Sequence, residues 1–349
     1  MMLPVGLGIL SALGLATPRP SAGGPPGGSR FPVGLLLMLT WSSSVAVGIP
    51  VGSPPNLIAI GMIRELTDRR LSFFDWVAVT MPLTVLMLIL AWLILRARYT
   101  RAQDTAGEIQ RYVAEERQKL GPWSRAEINV SLVFVLAAIL WMLPGAVALI
   151  SSPHAPLPRF FEAHLPESVI ALTAAILLFA LPTDLKRGEF TIGWRQAARI
   201  DWGTILLFGG GLALGRLMFD TKLAEAIGAR MVRTAGAESL WALTAVAIVI
   251  GVVLSEVSSN TASASMVIPV VIALAQSAGV SPIPPALGAA LGASFGFMLP
   301  VSTPPNAIIY GSGLVPLPEM IKAGFWLDLT GAVLIWLGLR VFCPLFGVM

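Results

Sequence analysis

Long apolar stretches separated by short polar segments make up most of the chain. Leu, Ile, Val and Ala dominate these stretches, and most run for more than 17 residues. A helix needs about 20 residues to cross the hydrocarbon core of a bilayer, whereas the strands of a membrane barrel are about half as long. The pattern therefore predicts membrane-spanning helices. They are expected at residues 32–63, 75–95, 128–150, 168–182, 201–215, 239–254, 262–280, 284–316 and 324–346.

The composition agrees with this pattern and narrows the class of protein. Of the 349 residues, 56% are hydrophobic and only 12% are charged, whereas soluble domains carry about 25% charged residues. The mean hydropathy is +0.80. We therefore predict an all-α polytopic membrane protein with room for roughly eight to ten membrane segments.

Few residues of the chain are suited to catalysis. Cys343, His154 and His164 are its only cysteine and histidines, so a disulfide framework, a zinc cluster and a Cys/His catalytic pair are excluded. No nucleophile, base and orienting group converge elsewhere, and we expect no enzyme. The net charge of +4 is spread over short loops. This spread favours basic residues on the cytoplasmic side of a membrane over nucleic-acid binding.

The polar segments predict an orientation. Residues 96–127 hold seven Arg or Lys and five Asp or Glu at helical spacing, which is typical of a cytoplasmic amphipathic helix. With this segment inside, residues 1–31 and 184–200 also lie inside. Residues 216–238 then lie outside although they carry four basic residues. A helix in the plane of the interface would explain their apolar face.

Comparison of the chain with itself reveals a repeat. Residues 50–56 and Ile58 match residues 300–306 and Ile308 at an offset of 250. Upstream of residue 17, the offset between the two copies is 265 and not 250. This difference of 15 residues is about the length of the Pro/Gly-rich residues 17–31, which are therefore interpreted as an insertion in the first copy. In the second copy, the polar run 255–265 precedes the matching region. Its counterpart would precede residue 1, so we expect the chain to begin inside its first repeat, which allows Met1 to be an internal methionine.

Two consecutive prolines interrupt each copy of the repeat. They remove two backbone donors and push the preceding residue away from helical geometry. Each long segment is therefore predicted to be a helix broken at 52–56 or 302–306, with free carbonyls and a new helix N-terminus at membrane depth. Such groups suit the binding of an anion together with cations. A proline kink without a ligand is the alternative, and the matching repeat positions favour a site.

The polar run between residues 254 and 262 has two interpretations. Ser258, Ser259, Asn260 and Thr261 could form a surface loop between two full spans, or the tip of a re-entrant hairpin. Small hydroxyls and an amide bind carboxylates without placing a full charge in lipid, which favours the hairpin. Glu256 beside them is either part of a functional site or a structural hydrogen-bond partner of the tip.

These motifs together resemble those of the divalent anion:sodium symporter family, of the solute carrier 13 type. The resemblance rests on Ser259, Asn260 and Thr261 with the residues that follow them, and on residues 293–309, 50–56 and 201–211. It implies an inverted-repeat secondary transporter of the inner membrane, a homodimer that works by an elevator-type movement. It implies a small anionic substrate, Na⁺ as the coupling ion and no cofactor.

The resemblance also implies roles for individual residues. Substrate contacts would come from Ser259, Asn260, Thr261, Thr303, Pro304, Ser53 and Pro54. Na⁺ would be bound by Gly52, Ser255, Ser258, Asn260 and Ser302. Structural support would come from Pro55, Asn56, Pro305, Asn306 and Glu256.

The chain is accordingly divided into five regions. Residues 1–31 are the remnant of a first hairpin arm with a linker, 32–95 and 239–349 form the transport domain, 96–127 the cytoplasmic loop, and 128–238 scaffold spans with the interfacial helix. The first Ser-Asn-Thr motif and the preceding scaffold helices are absent, so we expect no coupled transport by a protein that starts at Met1. The predicted function is Na⁺-coupled symport of divalent anions such as C4-dicarboxylates. The alternatives are transport of sulfate, citrate or an arsenite-type oxyanion, or an inactive membrane fragment.

Overall fold

The computed structural model describes residues 2–12, 15, 30–67, 69–99, 121–150, 165–200 and 239–349, with scattered positions between 114 and 222. Within them the chain is almost entirely helical, and five helices are long and apolar enough to cross a membrane. This confirms the predicted all-α polytopic class. The helices are α1 (Met2–Ala12), α2 (Phe31–Ser44), α3 (Pro54–Leu66), α4 (Phe73–Tyr99), α5 (Arg125–Ile150), α6 (Glu167–Ala180), α7 (Trp194–Ala197), α8 (Leu240–Val257), α9 (Asn260–Ser277), α10 (Ile283–Ala293), α11 (Pro304–Gly311) and α12 (Leu317–Leu345).

The chain forms two compact units. The first comprises residues 1–71, 77–116 and 204–349, and the second comprises 72–76 and 117–203. Much of the amphipathic segment 96–127, most of the span at 201–215 and the interfacial helix at 216–238 lie outside the described residues. Those three predictions therefore stay predictions.

In the second unit, α5 packs against α6. An antiparallel pair of strands, β1 (Pro182–Asp184) and β2 (Glu189–Phe190), follows α6. The sequence predicts a loop over residues 184–200, so this strand pair is a difference from the prediction. Asn129 of α5 ties the helix to this pair, because its Nδ2 donates to Thr191 Oγ1 at 2.8 Å and to the Pro182 carbonyl at 3.3 Å. Large apolar side chains such as Leu132 and Phe134 remain exposed on α5, as expected for a helix that faces lipid.

In the first unit, both predicted breaks are present as interruptions between short helices. α2 and α3 are separated by residues 45–53, and α10 and α11 by residues 294–303. The Pro-Pro pairs lie in the first turns of α3 and α11, where the missing N–H groups have no helical partner in any case. The prolines therefore begin the second half of each helix, and the chain opens before them.

The halves of each broken helix are too short to cross a bilayer alone. α10 has 11 residues and α11 has eight, whereas a crossing takes about 20. All of α10 is buried. Residues 294–297 of the second break are buried too, whereas Val301 is 69% exposed. The first part of the break therefore lies inside the protein, where unpaired backbone groups can be satisfied.

Glycines bring α8 and α10 into close contact. A Cβ at Gly251 would lie 2.8 Å from the Ala289 carbonyl oxygen, and one at Gly292 would lie 2.5 Å from the Ile248 carbonyl oxygen. The two backbones thus approach more closely than side chains would allow, as in membrane helix pairs with small residues at the interface. This contact places the end of α10 beside the end of α8, where the candidate site begins.

Candidate functional site

A tight turn joins α8 to α9. α8 ends at Val257, and α9 begins at Asn260. Ser259 caps α9, because its Oγ accepts a hydrogen bond from the Ala262 amide at 3.2 Å. Ser258 Oγ donates to the Leu254 carbonyl at 2.8 Å. The predicted polar run therefore joins two helices in a tight turn, and we call residues 255–261 the hairpin tip. Both helices are long enough to cross a membrane, so the re-entrant placement of the tip stays a prediction.

The hairpin tip contacts the second break. Ser255 Oγ lies 2.7 Å from the carbonyl oxygen of Ala293, the last residue of α10. Glu256 Oε1 accepts a hydrogen bond from the Met298 amide at 2.9 Å, and Oε2 accepts one from the Leu299 amide at 3.0 Å. Two sequence motifs about 40 residues apart thus meet at one place.

Glu256 is only 3% exposed, and both its oxygens are engaged with the backbone of the break. Two backbone amides hold this carboxyl group against the break. These hydrogen bonds are the ones expected if Glu256 has a structural role, the second of its two predicted roles.

Ser302 and Asn306 hold the second break from its other side. Ser302 Oγ lies 2.6 Å from the Gly296 carbonyl oxygen and 2.8 Å from the Leu299 carbonyl oxygen. Asn306 Nδ2 donates to the same two carbonyls, at 2.7 and 3.0 Å. A buried amide thus satisfies carbonyls that the interrupted helix leaves without partners.

Gly296 separates the hydroxyls of Ser255 and Ser302. A Cβ at Gly296 would lie 3.0 Å from Ser255 Oγ and 3.1 Å from Ser302 Oγ. The two hydroxyl oxygens therefore border the same small space, which a side chain at residue 296 would fill. Sequence reasoning did not select Gly296, because a single glycine in an apolar stretch carries no signal of its own.

The oxygens around this space outnumber the available protons. Ser255 Oγ also lies 2.6 Å from Asn260 Oδ1, yet a hydroxyl has one hydrogen to donate. It therefore cannot bond both Asn260 and the Ala293 carbonyl. Ser302 Oγ likewise has one hydrogen for two carbonyl oxygens, those of Gly296 and Leu299. Such a group of neutral oxygens can accept a small cation.

The first break repeats part of this arrangement. Asn56 Nδ2 donates to the Ile49 carbonyl at 2.9 Å and to the Val47 carbonyl at 3.3 Å. Ile49 and Leu299 occupy matching positions of the repeat. Thr80 of α4 closes the other side, since its Oγ1 donates to the Gly48 carbonyl at 3.2 Å. Gly52, predicted to bind Na⁺, lies here and not in the cluster at the second break.

The first break lies towards the same end of the unit as the hairpin tip. α3 packs along α9, and their C-terminal ends are joined by the Gln276 Nε2 bond to the Leu66 carbonyl at 2.9 Å. The helices therefore run parallel. α3 has 13 residues and α9 has 18, so at 1.5 Å per residue their N-termini differ in level by about 7 Å.

The predicted substrate residues differ in accessibility. Ser259, Pro54 and Pro304 are exposed, and Ser53, Asn260 and Thr261 are half-buried. Thr303 is buried, and its Oγ1 caps α11 by accepting a bond from the Asn306 amide at 3.3 Å. The structure brings Asn260, Ser255 and Ser302 together. It also reveals Asp328, a buried acid on α12, which an ionisable residue within an apolar span could have indicated.

Comparison with known families gives the same class. Residues 28–348 match the family described as the sodium:sulfate symporter transmembrane region. The chain belongs to this family. The predicted family and the predicted multi-pass membrane location are therefore confirmed.

Individual relatives carry more specific names. The sodium-dependent dicarboxylate transporter SdcS of Staphylococcus saprophyticus is 29% identical over 347 residues, which cover 99% of this chain and 65% of the relative. SdcS of Staphylococcus aureus strain MSSA476 is 31% identical over 327 residues, covering 90% and 60%. The chain thus spans less than two thirds of these relatives. The YdaH transporter of Alcanivorax borkumensis matches with a TM-score of 0.46 at 17% identity, over 99% of this chain and 83% of that one.

Proposed function

We propose that this chain belongs to a Na⁺-coupled symporter of divalent anions, with C4-dicarboxylates as the substrate class. The observation that carries the proposal is the meeting of the hairpin tip with the second break. The names of the relatives, sodium-dependent dicarboxylate transporters, agree with this choice.

Sodium binding is supported by the cluster of neutral oxygens around Gly296. The donors available there are hydroxyl, carbonyl and amide oxygens of Ser255, Asn260, Ala293 and Ser302. Oxygen ligands suit a hard cation, and broken membrane helices use unwound carbonyls to coordinate Na⁺. A cation would also relieve the facing lone pairs that one hydroxyl proton cannot bridge.

Anion binding is supported by helix N-termini that open near the same place. α3, α9 and α11 all begin there, two of them with a hydroxyl cap, Ser259 and Thr303. Each cap accepts a bond from its own helix and keeps its proton for an external acceptor. No residue in 45–56, 255–265 or 294–306 is basic. A carboxylate would therefore be bound by dipoles and hydroxyls, with Na⁺ supplying the positive charge.

Sulfate is the second candidate substrate, because the family is described by sulfate transport. Neutral donors accept a tetrahedral oxyanion as well as a carboxylate. Citrate and arsenite-type oxyanions belong to the same panel. Equilibrium binding of radiolabelled succinate and of radiolabelled sulfate to the chain in the presence of Na⁺, each competed by the other anions, separates these substrates. Binding of sulfate without binding of succinate would replace the dicarboxylate assignment.

The experiment for Na⁺ uses this chain in nanodiscs. A ligand that binds only the folded state stabilises it by about 2.7 kcal/mol at 100 times its Kd. We expect NaCl, but not choline chloride at equal ionic strength, to raise the thermal midpoint. Ser302→Ala should abolish that increase. Ser312→Ala is the matched control, because Ser312 lies at the other end of α11 and bonds only locally. Equal Na⁺ stabilisation of both variants would contradict the assignment.

The remaining parts of the proposal concern movement and assembly. We propose an elevator-type mechanism in which the first unit, with both breaks and the hairpin tip, is the moving transport domain, in an inverted-repeat homodimer of the inner membrane. We propose that uptake requires both copies of the repeat, each with a hairpin tip and a broken helix. Proteoliposomes with the 349-residue chain should therefore take up no succinate, whereas a chimera that adds the N-terminal third of SdcS should do so. Uptake by the chain alone would refute the requirement for two copies.

A further inference from the structure

A groove runs between α2 and α4 of the first unit, and we call it the α2–α4 groove. Its volume is about 200 Å³. Each helix lines it with residues at i, i+3, i+4 and i+7, counted from Phe31 in α2 and from Trp92 in α4. Residues at this spacing share one face of a helix. Arg96 is the only charged residue among the described lining residues, so the groove is an apolar surface with one positive charge.

Tyr99 closes one end of the α2–α4 groove. A Cβ at Gly34 would lie 2.7 Å from Tyr99 Cβ, so α2 and α4 are in close contact there. Tyr99 is 2% exposed. Its hydroxyl donates to Glu319 Oε2 of α12 at 2.9 Å, which holds the ring in place and engages the nearby acid. The groove is therefore bounded by packed side chains and not by a loose surface loop.

The closed end of the groove lies at the level of the lipid head groups. α2 and α4 run antiparallel, because the Gly48 carbonyl beyond α2 accepts a bond from Thr80 early in α4. With its 27 residues, α4 is about 40 Å long, whereas the hydrocarbon core is about 30 Å thick. Its last turn holds Arg96 and Arg98, which are typical of a span end outside the core. From there the groove extends towards the hydrocarbon for about 10 Å.

Arginines surround the closed end of the groove. Arg96 lines it, and its guanidinium carbon lies 4.9 Å from the centre of the Trp92 ring. Arg30 directly precedes the first lining residue of α2, and Arg98 directly precedes Tyr99. All three arginines are exposed. A molecule with an apolar chain and an anionic group at one end matches this arrangement in both shape and charge.

We propose that the α2–α4 groove binds an anionic phospholipid of the cytoplasmic leaflet, with its phosphate at Arg96 and an acyl chain along the apolar lining. This end of α4 is the predicted cytoplasmic end, because residues 96–127 follow it. The cytoplasmic leaflet is rich in anionic lipids, and basic pockets between membrane helices bind their head groups. A guanidinium group forms paired hydrogen bonds with phosphate oxygens. The proposal does not depend on the proposed transport of Na⁺ or of an anion.

Native mass spectrometry of the delipidated full chain tests the site, because one spectrum reports both bound lipids and the number of subunits. The probes are phosphatidylglycerol and phosphatidylcholine with the same acyl chains. Wild type should bind the first phosphatidylglycerol about tenfold more tightly than phosphatidylcholine, since each basic residue near the surface favours an anionic lipid. Equal affinity for the two lipids overturns the proposal. This comparison needs only wild type, so it decides even where a variant does not fold.

Arg96→Gln tests the head-group contact. It should reduce the preference for phosphatidylglycerol by about fivefold, the effect of one arginine near an anionic lipid. Arg340→Gln is the matched control, because Arg340 stacks on Trp336 at 5.2 Å just as Arg96 stacks on Trp92. α12 contributes none of the described lining residues, so Arg340→Gln should keep the wild-type preference. An equal loss in both variants refutes the site.

Leu35→Trp tests the acyl-chain contact, because Leu35 lines the groove and a larger ring would fill it. This variant should lose the tight binding of the first phosphatidylglycerol. Leu93→Trp, at a position of α4 that is 49% exposed and outside the groove, should bind lipid as wild type does. Unchanged lipid binding by Leu35→Trp contradicts the proposal.

Two other occupants of the groove would be recognised in the same spectra. Glycerol phosphate carries the head-group charge without acyl chains, so it should not displace phosphatidylglycerol at equal concentration. Displacement would assign the groove to a soluble anion and overturn the lipid assignment. If Leu35→Trp lowers the fraction of dimer and leaves lipid binding intact, the groove is an interface between two copies of the chain, and the proposal is wrong.

Discussion

Replacing Gly292 by alanine tests the close contact between α8 and α10. The new Cβ would lie 2.5 Å from the Ile248 carbonyl oxygen and 3.1 Å from its Cα. Ordinary contact begins at 3.4 Å, so the two helices must separate by about 0.9 Å at this point. Both partners are helix backbone, and neither can rotate away. Overpacking of this kind costs about 1–3 kcal/mol.

The thermal midpoint converts this cost into a measurement. For a unit of this size, each kcal/mol lowers the midpoint by roughly 2–4 °C, so we expect a fall of about 2–12 °C for Gly292→Ala. The same displacement moves the Ala293 carbonyl oxygen away from Ser255 Oγ, which lies 2.7 Å from it in the wild-type chain. The increase of the thermal midpoint by Na⁺ should therefore also be smaller.

Gly311→Ala is the control for this substitution. A Cβ at Gly311 meets nothing within 4 Å, and its backbone does not require glycine. Its midpoint should stay within about 1 °C of wild type. If Gly292→Ala matches Gly311→Ala in both midpoint and Na⁺ response, the close contact does not support the site, and the reasoning fails.

Three further substitutions probe the second break. Glu256→Gln should lower the free energy of unfolding by about 1.5–3 kcal/mol, because the hydrogen bonds from two amides to a charged acceptor are lost. Glu189→Gln, at an exposed position, is the control and should leave the thermal midpoint unchanged. An unchanged midpoint for Glu256→Gln as well would contradict this reasoning. Gly296→Ala should weaken Na⁺ binding, measured by calorimetry, by about tenfold, because its Cβ enters the space between two hydroxyls and would lie 2.9 Å from Ser302 Cβ. Unaltered Na⁺ affinity would show that the cation binds elsewhere. Asn306→Ala should speed amide hydrogen exchange in residues 296–302, because two buried carbonyls lose their donor; exchange rates equal to wild type would exclude Asn306 as the group that holds the break.

The sequence predicts the breaks well because their cause is local. Proline fixes its own φ angle and lacks an N–H, so Pro54 and Pro304 determine where each second half-helix begins. The hairpin turn is also local, since Ser259 is a strong N-cap residue. The Pro-Pro pairs and the cap residue alone therefore predict the interrupted helices and the turn between α8 and α9.

The contacts that assemble the site depend on tertiary packing. The sequence left Glu256 with two interpretations, because its partners are backbone amides more than 40 residues away. Asp328 is different, because an acid within an apolar span is itself a local signal of a functional or structural role. The strand pair beginning at Pro182 is too short to leave a clear alternating pattern.

The electrostatics of the first unit explain why its site can be built almost without charge. A full charge at membrane depth is expensive, and dipoles, hydroxyls and carbonyls bind ions without that cost. Glu256 is the exception, and its charge is compensated by two amides rather than by a lysine or an arginine. A basic partner would neutralise the region and compete with Na⁺ for the same oxygens. Because backbone amides hold Glu256, no basic side chain is needed beside Ser255 and Ser302, and the oxygens proposed to bind Na⁺ have no competing cation among their hydrogen-bond partners in the described part of the chain.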